Sequence, residues 1–168
     1  MASDFGIGAS LPRLEDARFI EGRGQFCADI ALPGMLHAAF VRSPHAHARI
    51  AAVRKPQGLE DRLYVAADLT GVSKMRSTAK LPGFKPSDWP ILATGKVRHV
   101  GEPIAMAIGT TRAEAEDFAA LVEVDFEVLP PVVTIADAAR KAAPFVHDDW
   151  GDNVLVHVKM EAGDLNAA

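Results

Sequence analysis

His45-x-His47 would set two imidazoles on one face of an extended segment, a spacing from which a divalent metal can be gripped. Arg49 falls on the same face at the next alternate position, and its fixed positive charge opposes a dication. No third ligand is near in sequence, so structural or hydrogen-bonding histidines are the expected role. A small metal-dependent enzyme built on the pair is the weakest alternative. His147, Asp148 and Asp149 resemble an acid/base cluster but lie in a polar stretch where solvated charge is the common outcome. Gly22-x-Gly24 has the start of a dinucleotide-binding loop, yet Cys27 occupies the third glycine position and no strand-to-helix context surrounds it. Turn glycines explain it better. Cys27 has no adjacent Lys or Arg to lower its pKa, which disfavours a nucleophile. Neither a GxSxG turn nor a Walker-type loop occurs. The expectation is no catalytic, cofactor-binding or metal-binding residue in the chain.

Composition sets further limits. The 168 residues are enough for one packed domain, and 49% apolar with 24% charged residues is the balance of an ordinary globular chain. A net charge of -4 offers nothing to a polyanion, so no nucleic-acid partner is expected. With one cysteine the chain forms no internal disulfide and holds no thiolate-ligated iron–sulfur cluster or Cys-rich zinc site by itself. No apolar run reaches membrane-spanning length, and the first ten residues lack a signal-peptide pattern. A cytoplasmic protein without membrane contact is the expectation.

The elements that must carry these residues follow from periodicity. Residues 1–30 hold Gly6, Gly8, Pro12, Gly22 and Gly24 among alternating charges and read as an extended arm lying on something else. Leu32-Pro33-Gly34 predicts a turn, then a strand from Met35 to Arg42 whose two apolar faces imply cover on both sides. A second strand, His47 to Val53, points Ala48, Ile50 and Ala52 one way. Leu63 to Ala67 is a short third strand. Gly71 to Leu92 shows no period and reads as a long irregular loop. Strands are expected at Val97 to Val100 and Pro103 to Ile108, then a helix opened by the capping box Thr111-x-x-Glu114, with Ala115, Phe118, Ala119 and Val122 on one face. Val124 to Val128 is a half-buried strand, Ile135 to Ala142 a short helix, and Val154, Val156 and Val158 a last strand. This order indicates a mixed α/β (α+β) domain with helices packed on sheet.

Three strings, LPRLEDARFIEGRGQF (Leu11 to Phe26), DIALPGMLHAAFVRSPHAHARI (Asp29 to Ile50) and VRHVGEPIAMAIGTTRAEAEDFAALVEVDFEVLPPVV (Val97 to Val133), carry a resemblance. The chain resembles the N-terminal α/β-hammerhead domain of the molybdopterin-binding large subunit in the xanthine dehydrogenase, aldehyde oxidase and aerobic carbon monoxide dehydrogenase family. The resemblance implies an extended arm at 1–30, a hammerhead domain at 31–150, and at 151–168 a linker with the start of a truncated molybdenum-cofactor-binding domain. It implies a scaffold within a molybdenum hydroxylase that hydroxylates an aldehyde, an N-heterocycle or carbon monoxide using water. The partners implied are the remainder of the large subunit, an iron–sulfur subunit with 2Fe-2S clusters and an FAD subunit. Molybdopterin and the catalytic glutamate are implied to lie beyond this sequence, leaving the isolated chain inactive. One departure stands out: between Val53 and Leu63 the family has a longer, helix-bearing insert where this chain has RKPQGLED, so a more exposed sheet edge is expected there. The alternative is a stand-alone hammerhead binding module without enzymatic activity, using the groove beside Gly71 to Leu92.

Overall fold

The computed structural model describes residues 6–85, 87–160 and 162–163. They group into two compact units, Met1–Met35 and Leu36–Ala168.

In the first unit the expected extended arm contains a helix, α1 (Asp16–Ile20), and a 3-10 turn at Cys27–Asp29. The Asp16 carboxylate accepts the Arg13 backbone N–H at 3.2 Å, which holds the turn ahead of the helix. Gly22, at φ +68°, follows it in the left-handed conformation that only glycine adopts without strain. Gly24 meets a different need. A Cβ there would lie 2.6 Å from the Phe19 ring, which stacks on Phe26 with centroids 5.6 Å apart. No residue of α1 is buried.

The second unit runs β1 (His37–Arg42), β2 (Ala48–Arg54), β3 (Leu63–Val65), β4 (Met75–Arg76), β5 (Asp88–Trp89), β6 (Lys96–Val97), β7 (Pro103–Gly109), α2 (Arg112–Ala120), β8 (Glu123–Val128) and α3 (Ile135–Ala138). Three sheets result, in the orders β1-β7-β3, β6-β2-β8 and β4-β5. The sheets and helices form the expected α/β fold. The β7–α2–β8 stretch leaves the first sheet and enters the second, so one helix joins the two.

On the first sheet Ala39 faces Ala107, Val41 faces Ala105 and His37 faces Gly109. α2 packs on that side. A Cβ on Gly109 would lie 2.6 Å from the Ala115 backbone nitrogen, so the absent side chain is what admits the helix. Thr111 caps α2 by accepting the Glu114 N–H at 3.1 Å. The Glu114 carboxylate reaches back one residue further than a capping box would place it, to the Thr110 N–H and hydroxyl. The expected cover on both faces of β1 is not met. Ala38, Phe40 and Arg42 are exposed, Phe40 by 41%. The reason is that α2 lies against one face only.

In the second sheet a register shift between Ile50 and Ala52 breaks the expected alternation. Past this bulge Val53, rather than Ala52, joins Ile50, Val124 and Phe126 around the buried Ala48, Ala93, Val97 and Ile104. The short link after β2 carries no helix, and Lys55 closes it with a 2.5 Å ion pair to Asp68. β3 is an edge of its sheet. Three other expectations fail. The irregular 71–92 stretch contains the β4–β5 ribbon, held by a bidentate Arg76–Asp88 pair at 2.7 and 2.9 Å. No strand forms at 154–158, because no neighbouring strand pairs with it; the Leu155 carbonyl instead accepts the Lys85 N–H at 2.9 Å. α3 also ends four residues before Ala142.

Candidate functional site

The histidine pair does not converge. His47 is 5% exposed, and its Nδ1 lies 2.8 Å from the Pro130 carbonyl, which requires the proton on Nδ1 and fastens the start of β2 to the segment after β8. The Leu129 N–H donates to the His47 carbonyl at 2.9 Å, so backbone and side chain act on the same junction. The ring of His45 meets Phe126 edge-on with centroids 4.8 Å apart. Arg49 turns to solvent beside Glu127. Among the described residues no three His, Cys, Asp or Glu side chains gather as metal ligands.

The His147–Asp148–Asp149 stretch is divided between partners. Both oxygens of Asp148 accept from the Lys96 ammonium at 2.8 Å, and this hydrogen bond holds the Asp148 carboxyl below its usual range. Lys96 itself is 7% exposed, so a buried cation is satisfied by a carboxylate that remains largely in water. His147 stacks on Trp150, with centroids 4.0 Å apart and planes 13° from parallel. Desolvation first, then the nearby Arg98 charge, pushes its pKa down and keeps the ring neutral at pH 7. Asp149 is exposed. Each group is engaged by a different contact within the fold, Asp148 by Lys96 and His147 by Trp150. Cys27 is exposed in the first unit.

What the structure brings together that sequence spacing did not is a cleft of about 320 Å³. The β5 segment supplies Ser87 and Trp89, α3 supplies Ala138, and the 146–155 loop supplies His147, Trp150 and Leu155. The other conspicuous feature is uncovered apolar surface. Phe40 on β1 and Leu14, Ile20 and Phe26 in the first unit are all exposed, as are Trp89 and Val133.

Known proteins match nearly the whole of this chain. The family model described as "Aldehyde oxidase and xanthine dehydrogenase, a/b hammerhead domain" matches residues 21–130. The nicotine 6-hydroxylase large subunit of Paenarthrobacter nicotinovorans is 34% identical over 167 residues, 96% of this chain and 20% of that protein. The carbon monoxide dehydrogenase large chain of Afipia carboxidovorans is 37% identical over 153 residues, 89% of this chain and 18% of the relative. The crystal structure of quinoline 2-oxidoreductase from Pseudomonas putida 86 superposes with a TM-score of 0.77 at 38% identity, covering 89% of this chain and 20% of that one. The chain thus spans about a fifth of the length of the relatives that it matches.

Proposed function

Because the chain belongs to the aldehyde oxidase and xanthine dehydrogenase hammerhead family, we propose that it serves as the N-terminal scaffold domain of a molybdenum hydroxylase large subunit. The observation that carries this reading is the coverage: nearly all of this chain aligns with about a fifth of much longer relatives. The uncovered apolar residues of both units are what a domain enclosed by further protein would present. On this reading residues 31–150 are the hammerhead domain, 1–30 an arm, and 151–168 the approach to the domain that binds molybdopterin.

The residues present do not fit as holders of an iron–sulfur cluster. An iron–sulfur cluster takes up to four thiolates, whereas Cys27 is the chain's single cysteine, and no three-member ligand cluster forms among the described residues. No step of the reaction is therefore assigned to this chain. The complete enzyme would hydroxylate an aldehyde, an N-heterocycle or carbon monoxide with water, using 2Fe-2S and FAD partner subunits, in the cytoplasm. The part played by this domain is to present packed surfaces against which the remainder of the large subunit and the iron–sulfur subunit are positioned.

Deletion of residues 11–133 from the complete subunit tests the proposal, with complex formation and turnover both measured. Loss of assembly, with turnover falling in proportion, is expected. Normal assembly with turnover abolished would mean that a residue here takes part in the reaction. Normal assembly with normal turnover would mean that the domain is dispensable, and either result overturns the scaffold reading.

A further inference from the structure

Residues 144–155 cross the second unit as a strap that is fastened at few points. Between Ala139 and Met160 the chain forms neither helix nor strand, and from Pro144 to Met160 no residue is buried. Two lysines hold the strap to the rest of the unit. The Lys96 ammonium meets both oxygens of Asp148 at 2.8 Å, and the Lys85 ammonium donates to Asp152 at 2.5 Å and to the Trp150 carbonyl at 3.2 Å. The Lys85 backbone N–H adds a bond to the Leu155 carbonyl at 2.9 Å. Further bonds stay within the strap: Asn153 joins the Val146 N–H to the Pro144 carbonyl, the Trp150 N–H donates to the His147 carbonyl, and the His147 ring stacks on Trp150. A segment without regular structure or buried residues opens far more readily than the sheets beneath it.

We propose that this strap is a proton-operated clasp: when His147 takes up a proton, residues 144–155 come away from Lys85 and Lys96 as a unit while the main sheets stay folded. The cause lies in what His147 faces when the strap is closed. Burial along the cleft that it lines with Trp89 and Val132, and then the Arg98 and Lys96 charges, hold its pKa below the ordinary 6.5, while Asp149 and Glu102 act the other way. Asp149 belongs to the strap and moves with it. So does Trp150, whose indole face attracts an imidazolium, but a stack internal to the strap favours neither the closed nor the open state. The charged and titratable groups of the other neighbouring elements are engaged: Lys85 by Asp152, Asp88 of β5 by Arg76, Asp137 of α3 by Arg140, and His47 beside β2 by the Pro130 carbonyl. What separates closed from open is therefore the loss of water around His147 and its approach to Arg98 and Lys96, against Glu102 alone. The open strap binds the proton more readily, so opening increases as pH falls below 6.5 and levels off once the closed form is charged as well. Asp148 and Asp152, whose carboxyls are held below the ordinary range by their lysines, stay ionised in that window and keep the clasp closed at neutrality. The clasp concerns the motion of this chain alone and stands apart from the scaffold reading.

Hydrogen exchange in the whole chain tests the clasp, because the Lys85 amide donates across to the strap. Protection factors, corrected for the intrinsic pH dependence of exchange, are compared from about pH 7.5 down to about pH 5, the range in which histidine changes charge. The Lys85 factor is expected to fall by up to about tenfold per pH unit, the linkage of a single proton, while those of Ile104, Ala105 and Ala107 in β7 stay constant. His147→Gln and His147→Phe, the second keeping a ring beside Trp150, should each leave the Lys85 factor flat across the range. Asp148→Asn removes a fastening charge but not the proton site, so it should lower the Lys85 factor at every pH and keep the slope. A flat Lys85 factor in the parent, a slope that persists in both His147 variants, or an Asp148→Asn chain closed as firmly as the parent overturns the proposal. A parallel fall at Lys85 and β7 overturns it too, by making the opening that of the whole unit.

Discussion

Lys96 and Asp148 are an unequal couple, and the inequality decides what happens when either is changed. The lysine is buried in β6 and cannot shed its charge into water, whereas the Asp148 side chain is 80% exposed and loses little hydration by pairing. Replacing Asp148 by Asn therefore costs mainly through the lysine, which keeps a weaker acceptor. The exposed carboxylate limits the loss to about 1 kcal/mol at neutral pH. The pH dependence has a fixed sign. Because the Lys96 hydrogen bond sets the folded-state value below the ordinary 3.8, the unfolded chain binds more protons in the acid range and stability rises with pH there. The contribution is complete above about pH 5 and fades as pH falls through the folded-state value. Urea denaturation of the parent and Asp148→Asn at several pH values should show two curves that are separated at neutrality and converge in acid. A constant separation would mean that Asp148 acts through something other than its charge.

At the scale of elements, the junction of β7 and α2 governs the first sheet. Gly109 stands where strand becomes helix, and the atoms facing its missing Cβ are backbone: the Ala115 nitrogen at 2.6 Å and the Thr111 carbonyl oxygen at 2.9 Å. Backbone cannot step aside as a flexible side chain can, so Gly109→Ala should lower stability by about 2–3 kcal/mol. Thr111→Ala removes only the N-cap hydrogen bond to Glu114 and should cost about 1 kcal/mol. Thermal unfolding of the two variants checks the order. A Gly109→Ala protein as stable as the parent would show that the helix can shift on the sheet.

This junction also shows why sequence reading succeeded where it did. Thr111, Glu114 and the Ala115–Phe118–Ala119 face are local signals, spaced within a few turns, and α2 formed where they placed it, though it ends at Ala120 and leaves Val122 beyond the helix. β8 was legible for the same reason. α1 was not, since five residues make little more than one turn and none is buried to create a period. The alternation of Val154, Val156 and Val158 misled because a strand needs a partner, and pairing is a long-range fact. Long-range facts also hid the Ser87–Trp89–His147–Trp150 cleft, whose two walls lie nearly sixty residues apart in the chain. His47 is intermediate. Its structural role was read from the absence of further ligands, but its acceptor, the Pro130 carbonyl, lies 83 residues away.

For the whole molecule, the uneven distribution of buried apolar groups implies an uneven distribution of local stability. The second unit holds the fully buried Leu63, Leu92, Ile104 and Val97, and β7 runs through its first sheet between two neighbours. Amides there open only when most of the unit does. In the first unit α1 buries nothing, Leu14 and Ile20 are 103% and 85% exposed, and the rings of Phe19 and Phe26 stack on each other. A helix of five residues lies far below the length that survives in water on its own propensity, so packing from outside has to supply what the unit lacks. Hydrogen exchange on the isolated chain should therefore find Ile104 to Ile108 the most protected and Asp16 to Ile20 exchanging close to the rate of an unstructured peptide. In the complete large subunit the Asp16 to Ile20 amides should gain protection while those of β7 change little, because no residue of α1 is buried whereas β7 lies between two strands. Strong protection of α1 in the isolated chain would show that the first unit is stable without further protein, and the scaffold reading would lose the part of its support that rests on uncovered apolar surface.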